Sequence, residues 1–312
     1  KLDIDVSGMT GDASLASGGA INSDAAITID ATDVAGDVTL GELIGSSVSV
    51  DYTGGLGTLT LDTGADGSVG TVDITAKTAA TVKGGALNAT TADILAASGS
   101  TSLAVTLAGG AGDDKFSVHG VSTQVGITVT GDLLAGTGDA IIVEGVASTA
   151  TTQTIDVSGA VAETVTVELS GDHTGGAVVV TGSTSTAVTD VLYLEAASAN
   201  DDLTVTNIVA VTVKDAAAIN ASAISGKTMT VDGADGTSDV LTLNGTATAD
   251  TIDLSGLTVG GTSAATLKID AGVGGDTITA SGGVDTKNCR YGVFTATGDH
   301  AAYLLITPGT DY

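Results

Sequence analysis

Aspartate residues in glycine-rich turns are the side chains of this sequence with the clearest capacity for chemistry. Residues 109–117, Gly-Gly-Ala-Gly-Asp-Asp-Lys-Phe-Ser, fit the nonapeptide pattern G-G-x-G-x-D-x-U-x at every specified position. The glycines permit left-handed turns whose carbonyl oxygens can face a cation, Asp114 adds a carboxylate, and Phe116 is expected to point inward as a strand begins. Because Ca²⁺ prefers oxygen ligands of this kind, the segment predicts a calcium site that includes Gly110, Gly112, Asp113 and Asp114.

A weaker copy of the same turn covers residues 271–279 and lacks only the first glycine of the pattern. It adds Gly272, Gly274 and Asp276 to the candidate calcium ligands, and looser relatives of the turn add Asp139, Asp239 and Asp250. The alternative interpretation is that these are solvated acidic turns of a glycine-rich protein. In true nonapeptide arrays each ion takes ligands from successive turns, whereas the copies in this sequence stand apart.

Motifs for catalysis are scarce. The histidines, His119, His173 and His300, stand in no metal-binding spacing, and we expect each to be a surface or turn residue. The sequence contains neither a nucleophile elbow nor a phosphate-binding loop, and nothing around Cys289 marks it as a nucleophile. Polysaccharide-cleaving β-helix enzymes need basic residues or paired carboxylates at a cleft, and 9 basic residues in 312 disfavour that class. We therefore expect a protein that is not an enzyme.

Short strands with alternating aliphatic and polar residues must position these turns. They recur about every 10 to 13 residues, as at 27–30, 38–40, 48–51 and 59–62, which is the spacing of an all-β sandwich, barrel or solenoid. The sequence has 45 Gly, 1 Pro and no Trp, so its core must consist of small aliphatic side chains in thin layers. Only residues 216–224 could form a short helical turn, and residues 161–169 read as a strand.

A five-residue repeat supports stacking of similar units along an axis. Ile-Asp-Val-Ser-Gly at 4–8 recurs at 155–159 and, with one replacement, at 252–256. Degenerate strand–turn units of this kind build quasi-one-dimensional folds. We expect an all-β, elongated parallel β-solenoid (β-helix) of short strands and Gly/Asp turns, with tandem β-sandwiches as the alternative.

The charge limits the partners of the protein. With 37 acidic and 9 basic residues the formal net charge is −28, which repels nucleic acids and anionic lipid surfaces and attracts cations. One cysteine cannot form an intrachain disulfide, so calcium is the expected substitute for a covalent staple. The sequence has no run of 18 apolar residues, and we expect no membrane insertion.

The composition changes near the C-terminus, where the one arginine, the one proline and three of the five tyrosines lie beyond residue 286. Residues 290–296 and 301–306 are interpreted as a hairpin around Gly298-Asp299 that covers the last layer. The expected division is a solenoid-like repeat region over 1–285 and a C-terminal hairpin cap over 286–312. Since the sequence starts at Lys1 without an initiator methionine or signal peptide, we expect a processed product or a fragment.

Together, the nonapeptide turn, the Ile-Asp-Val-Ser-Gly repeats and the Ala/Thr/Gly/Val bias resemble bacterial surface-layer (S-layer) proteins of the RTX type, such as the Caulobacter and Campylobacter surface-array proteins. The hairpin at 291–305 is similar to the C-terminal cap of type I-secreted proteins. The resemblance implies a right-handed β-solenoid, Ca²⁺-dependent folding, lattice assembly, and export to the cell surface without a cleaved N-terminal signal.

These observations favour a structural subunit of a self-assembling, calcium-dependent bacterial surface layer or extracellular filament. Its expected partners are further copies of itself, with cell-surface polysaccharide as a second candidate. The alternative is a calcium-stiffened adhesin or biofilm-matrix protein. A polysaccharide-acting β-helix enzyme is the third hypothesis, and it would need a groove with clustered acids.

Overall fold

The computed structural model describes residues 1–15, 21–40, 43–51, 59–61, 74–83, 90–96, 102–108, 115–119, 126–132, 139–145, 152–160, 164–173, 176–199, 202–235, 239–260 and 265–279. Within these ranges the regular structure is β-strand apart from one 3₁₀ turn, η1 (Ala221–Ala223). The strands are β1 (Leu2–Asp5), β2 (Ala13–Leu15), β3 (Ile21–Asn22), β4 (Ile27–Asp30), β5 (Val38–Leu40), β6 (Leu43–Asp51), β7 (Leu59–Leu61), β8 (Ile74–Lys83), β9 (Thr90–Ala96), β10 (Ser102–Ala108), β11 (Lys115–His119), β12 (Gly126–Asp132), β13 (Asp139–Gly145), β14 (Gln153–Asp156), β15 (Val165–Asp172), β16 (Val178–Thr181), β17 (Val191–Ala199), β18 (Leu203–Thr206), β19 (Ala210–Lys214), β20 (Ala216–Asn220), β21 (Met229–Gly233), β22 (Val240–Asn244), β23 (Thr251–Asp253), β24 (Leu257–Val259), β25 (Thr266–Asp270) and β26 (Thr277–Thr279).

The chain winds as a solenoid whose coils stack in register. Each strand pairs in parallel with the strand one coil further along, so that Leu2 lies beside Ile27 and Gln153 beside Val178, in both cases 25 positions apart. The spacing varies, from 32 positions between Ser47 and Ala79 to 19 between Val191 and Ala210. The predicted parallel β-solenoid is confirmed. The tandem-sandwich alternative is wrong, because sandwiches are built on antiparallel pairs and the pairs among the described strands are parallel.

Three sheet faces enclose the core. The first face contains β1, β4, the end of β6, the end of β8, β10, β12, β14, β16 and β18. The second contains β2, β5, β7, the start of β9, β11, β13, β15, β17, β19, β21 and β24. The third contains β3, the starts of β6 and β8 and the end of β9, and later the end of β17, β20, β22 and β25.

The core is a column of small aliphatic side chains, as the composition predicts. On the first face Ile29, Val50, Val82 and Leu107 stack in successive coils, and each is fully buried. The strands alternate buried and half-exposed residues, because successive side chains of a strand point to opposite faces. Burial of one such side chain stabilises the fold by about 1.5–3 kcal/mol, and the regular stacking repeats that gain at every coil.

Each Ile-Asp-Val-Ser-Gly repeat lies at the end of a strand: the first two end β1 and β14 of the first face, and the third ends β23. In each copy the isoleucine points toward the core and the aspartate accepts a hydrogen bond from the amide of the serine two residues later. The pairs are Asp5 and Ser7, Asp156 and Ser158, and Asp253 and Ser255, at 3.0, 2.9 and 3.0 Å. The motif therefore encodes the end of a strand followed by an Asx turn. The copies are irregularly spaced in the sequence because many coils end their strands without this motif.

The first face is interrupted near its end. In place of a strand, η1 follows β20 and packs against β18, and it is capped by the Asn220 side chain, which accepts a hydrogen bond from the Ser222 amide. Ser225 and Gly226, just after η1, form hydrogen bonds with β23. Beyond the interruption β23 and β26 form a separate two-stranded sheet. The helical turn expected within 216–224 is thus limited to three residues, because Ala216–Asn220 is strand.

Other expectations have mixed outcomes. The strand expected over 161–169 is present as β15 from Val165. The hairpin cap and the boundary at 285/286 lie outside the described residues. Among the residues that are described, no helix has the length and apolarity needed to cross a lipid bilayer.

Candidate functional site

Buried aspartates mark the corners where strands begin. Asp139 is the first residue of β13, while Asp190, Asp239 and Asp276 immediately precede β17, β22 and β26. Their exposed fractions are only 0%, 2%, 3% and 8%. A buried carboxylate needs hydrogen-bond partners to offset the loss of hydration, and three of these corners show where the partners come from.

At the Asp190 corner the partners are backbone amides. Its Oδ1 accepts a hydrogen bond from the Val165 amide of the preceding coil at 3.0 Å, and its Oδ2 accepts one from the Ser183 amide at 2.5 Å. Burial raises the pKa of Asp190, while the two amide hydrogen bonds act in the opposite direction. The carboxylate thus joins two coils and closes the turn that leads into β17.

The Asp239 corner repeats this arrangement. Oδ1 accepts from the Asp215 amide of the preceding coil at 2.8 Å, and Oδ2 accepts from the Asp235 amide at 3.1 Å. Asp215 itself has a φ of 60°, the left-handed conformation that aspartate tolerates better than most residues. Both carboxylate oxygens of Asp239, a predicted calcium ligand, therefore accept hydrogen bonds from backbone amides.

The last described corner brings together four of the predicted calcium-site residues, Asp250, Gly272, Gly274 and Asp276. Asp276 Oδ1 accepts from the Asp250 amide at 2.9 Å, and Asp250 Oδ2 in turn accepts from the Thr246 amide at 2.6 Å. Two stacked loops result, and they line an open cavity of about 410 Å³ beside Thr246 and Gly272.

The glycines of this corner are required for close packing. Gly272 has a φ of 78°, and a Cβ there would lie 2.0 Å from the Thr246 carbonyl oxygen. Gly274 has a φ of 152°, and a Cβ there would lie 2.7 Å from the Ala249 amide nitrogen. Backbone contact between coils accounts for both glycines, independently of any cation.

Only some of the predicted calcium ligands lie among the residues that the structure describes. Its strongest candidates, Gly110, Gly112, Asp113 and Asp114, lie outside the described residues. Inside them, no group of three or more His, Cys, Asp or Glu side chains could hold a metal ion. Ca²⁺ takes six to eight oxygen ligands, and the described corners offer at most a few carboxylate oxygens that already accept amide hydrogen bonds.

His173 has a structural environment. It is 3% exposed, with Nδ1 2.7 Å from Gln153 Oε1 and Nε2 3.1 Å from the Ser170 carbonyl oxygen. Burial lowers the pKa of His173 and favours the neutral ring. The expectation that each histidine is a surface or turn residue is wrong for His173, because its ring fills a corner and bridges two strands.

A mixed cluster of ionisable side chains occupies the outer surface of the second face. Glu168 on β15 lies beside Tyr193 on β17, and Glu195 on β17 lies beside Lys214 on β19. Lys214 Nζ donates a hydrogen bond to Glu195 Oε1, and the strand register places Glu195 two positions further along β17 than Tyr193, the residue beside Glu168. We call these four residues the outer-face cluster.

Charge and burial shift the pKa values within the outer-face cluster. Burial, followed by the hydrogen bond and the negative charge of Glu195, raises the pKa of Glu168 to about 7. The hydrogen bonds from Lys214 and Glu168 lower the pKa of Glu195, and Glu195 raises the pKa of Lys214. One carboxyl of the pair is therefore held ionised by the lysine, while its neighbour keeps a proton into the neutral range.

Sequence reasoning misses the outer-face cluster. Predicting the cluster would require knowing that Glu168, Glu195 and Lys214 lie on one sheet face. In the chain, Glu195 follows Glu168 by 27 positions and Lys214 follows Glu195 by 19. A β-bulge between Ser170 and Asp172 and a left-handed Ala196, with a φ of 44°, alter the register just beyond Glu195. Without the coil lengths, nothing in the sequence aligns these residues.

Comparison with protein-family models, with curated proteins and with solved structures gives no match to this chain. Its class is consequently defined by its own architecture, that of a parallel β-solenoid with amide-bound aspartates at its corners.

Proposed function

We propose that the protein is a structural subunit of a self-assembling bacterial surface layer or extracellular filament. The observation that carries this proposal is the continuous stack of parallel coils around a thin aliphatic core. Such a stack is stiff along its axis, because each coil is hydrogen-bonded to its neighbours throughout the described strands. A rod of this kind suits a load-bearing role at the cell surface.

Calcium is the proposed counter-ion of assembly. A net charge of −28 makes subunits repel one another, and divalent cations bound at acidic turns would reduce that repulsion. The paired loops around Asp250 and Asp276 support this part of the proposal, because they stack two copies of the predicted turn in successive coils. Residues 109–114 are the other segment at which we propose that calcium binds.

Electron microscopy and sedimentation test the proposal directly. The purified protein is expected to form ordered arrays or filaments with Ca²⁺ and to dissociate into monomers with a chelator, and Mg²⁺ is expected to restore assembly poorly. Asp276→Asn and Asp114→Asn should raise the Ca²⁺ concentration needed for assembly. Asp24→Asn, which removes an exposed charge elsewhere, is the matched control and should behave as the natural sequence.

A monomer with and without calcium would contradict the proposal and favour the adhesin or matrix alternative. Turnover of a polysaccharide would favour the enzyme.

A further inference from the structure

The interruption of the first face at η1 leaves a seam between β18 and β23, and both strand edges that border it need hydrogen-bond partners. On β18, the carbonyl oxygens of Asp202 and Thr206 accept hydrogen bonds from the β16 side. Because the backbone groups of successive residues in a parallel strand point to opposite sides, those of Leu203 and Val205 face the seam. No backbone hydrogen bond joins β18 to η1 among the residues that the structure describes.

At the β23 side of the seam, Ser225 makes the bonds of a strand residue. Its hydroxyl accepts a hydrogen bond from the Asp253 amide at 2.9 Å and donates one to the Thr251 carbonyl oxygen at 3.4 Å. In a regular parallel ladder the N–H and C=O of a single residue make these two bonds. The Gly226 amide donates to the Asp253 carbonyl oxygen at 2.7 Å, which is the next bond of such a ladder.

At the β18 side of the seam, Lys227 supplies the donor. Its Nζ donates a hydrogen bond to the Val205 carbonyl oxygen at 2.7 Å, and Val205 is one of the residues whose backbone faces the seam. Hydrogen bonds from a charged donor are stronger than those from a neutral one. Three consecutive residues, 225–227, therefore bond to both sides of the seam.

Two glycines allow this segment to take its position. Gly226 has a φ of 71°, a left-handed conformation that glycine adopts without steric cost. A Cβ at Gly256, in the turn after β23, would lie 2.4 Å from the Lys227 carbonyl oxygen. The backbone of 225–227 is thus packed directly against the coil that it joins.

We propose that residues 225–227 form a strap that replaces the missing strand of the first face and holds the sheet of β23 and β26 closed. That sheet places Ile252 and Ile278 in the core. The other two faces continue across the seam, through β19, β21 and β24 and through β20, β22 and β25. Loss of the strap therefore opens the two-stranded sheet locally, while the preceding coils stay folded. The strap depends neither on calcium nor on assembly.

Amide hydrogen exchange of the intact protein tests the strap, because exchange measures local opening at single residues. The reporter is the Leu254 amide, which bonds to the Thr279 carbonyl oxygen, away from the strap. Ser225→Ala removes the bridging hydroxyl and should speed exchange of this amide about tenfold or more, the effect of leaving polar groups without a partner. The Gly182 amide, which bonds to the end of β18, should keep its rate.

The matched control for this variant is Ser222→Ala, which changes an exposed serine of η1 and should leave both exchange rates unchanged. Equal Leu254 rates in Ser225→Ala and Ser222→Ala would overturn the proposal. An equal acceleration at Gly182 would also overturn it, because the loss of stability would then be global.

Lys227→Met tests the other side of the strap. It keeps an unbranched side chain and removes the ammonium group, so exchange of the Leu254 amide should again accelerate, and Lys227→Arg should restore slow exchange because it keeps a charged donor. Lys268→Met, at an exposed position of β25, is the control. An unchanged Leu254 rate in Lys227→Met would refute the strap, and if Ser225→Ala does not fold, this comparison decides.

Discussion

Asp190 places a carboxylate inside a corner of the solenoid, where it accepts hydrogen bonds from the backbone amides of Val165 and Ser183. Its short side chain is what makes this possible, because a glutamate would extend one methylene further into the packed corner. The same two-amide geometry recurs at Asp239, and Asp276 likewise accepts a hydrogen bond from an amide of the preceding coil. Part of the excess of aspartate in this chain is thus explained by backbone hydrogen bonding.

Replacement of Asp190 by asparagine tests this interpretation. The new amide group would oppose one of the two backbone N–H donors, and leaving a buried donor unsatisfied costs about 1–3 kcal/mol. Urea unfolding of Asp190→Asn should show that loss. Asp202→Asn, which changes an exposed aspartate just before β18, should fall within about 0.5 kcal/mol of the natural protein, and equal losses in the two variants would contradict the amide-binding role.

The candidate site was accessible from sequence only in part. The glycine and aspartate content of 271–279 indicates a special turn, and the structure confirms a turn in which Gly272 and Gly274 permit close backbone contact. What the pattern does not reveal is whether the oxygen atoms of Asp276 meet a cation or an amide. That depends on the position of the Asp250 amide one coil earlier, which is a tertiary property.

At the scale of the elements, β11 carries the largest fully buried side chain among the described residues, Phe116. The register places Ala92 of β9 and Ile141 of β13 on either side of it. The inward direction of Phe116 is one of the predictions that the structure confirms.

Truncation of Phe116 should therefore be costly, while a change of shape should be tolerated. Phe116→Ala leaves a cavity and is expected to lower the free energy of unfolding by about 3–5 kcal/mol, whereas Phe116→Leu should cost less than about 2 kcal/mol. Thermal and urea unfolding measure both. Lys115→Ala, at the exposed neighbouring position, is the control, and similar stabilities for all three variants would show that the layer is not tightly packed.

The positions of the strands can be predicted from the sequence more readily than the way the strands pair. Alternation of aliphatic and polar side chains locates Ile27–Asp30 and Val240–Asn244, because that period matches a half-buried strand. The pairing depends on coil length, which varies between neighbours. β17 also continues around a corner at Ala196 without a glycine or proline to mark it. Local patterns therefore identify the elements but not their order around the axis.

At the scale of the whole molecule, the balance of 37 acidic against 9 basic residues is the dominant electrostatic property. Repulsion among these charges destabilises the folded state and is screened by salt. The screening length falls from about 30 Å at 0.01 M to about 10 Å at 0.1 M ionic strength, so most long-range repulsion disappears over that range.

The melting temperature should accordingly rise as NaCl is added across that range, and the rise should level off beyond it. Differential scanning calorimetry of the monomer measures this. At equal ionic strength CaCl₂ should give a larger increase than NaCl if the acidic turns bind calcium, and MgCl₂ serves as the matched divalent control. A melting temperature indifferent to NaCl would mean that the carboxylates are already neutralised by internal contacts.

The 3₁₀ turn at Ala221–Ala223 has a mechanical consequence. It breaks the hydrogen-bonded ladder of the first face, so that β23 and β26 are joined to the earlier coils through the other two faces and through isolated contacts such as the Gly226 amide to the Asp253 carbonyl oxygen at 2.7 Å. Tension along the axis would concentrate at this seam. The coils that follow Thr251 would peel away there as one block, while the longer stretch before it remained wound.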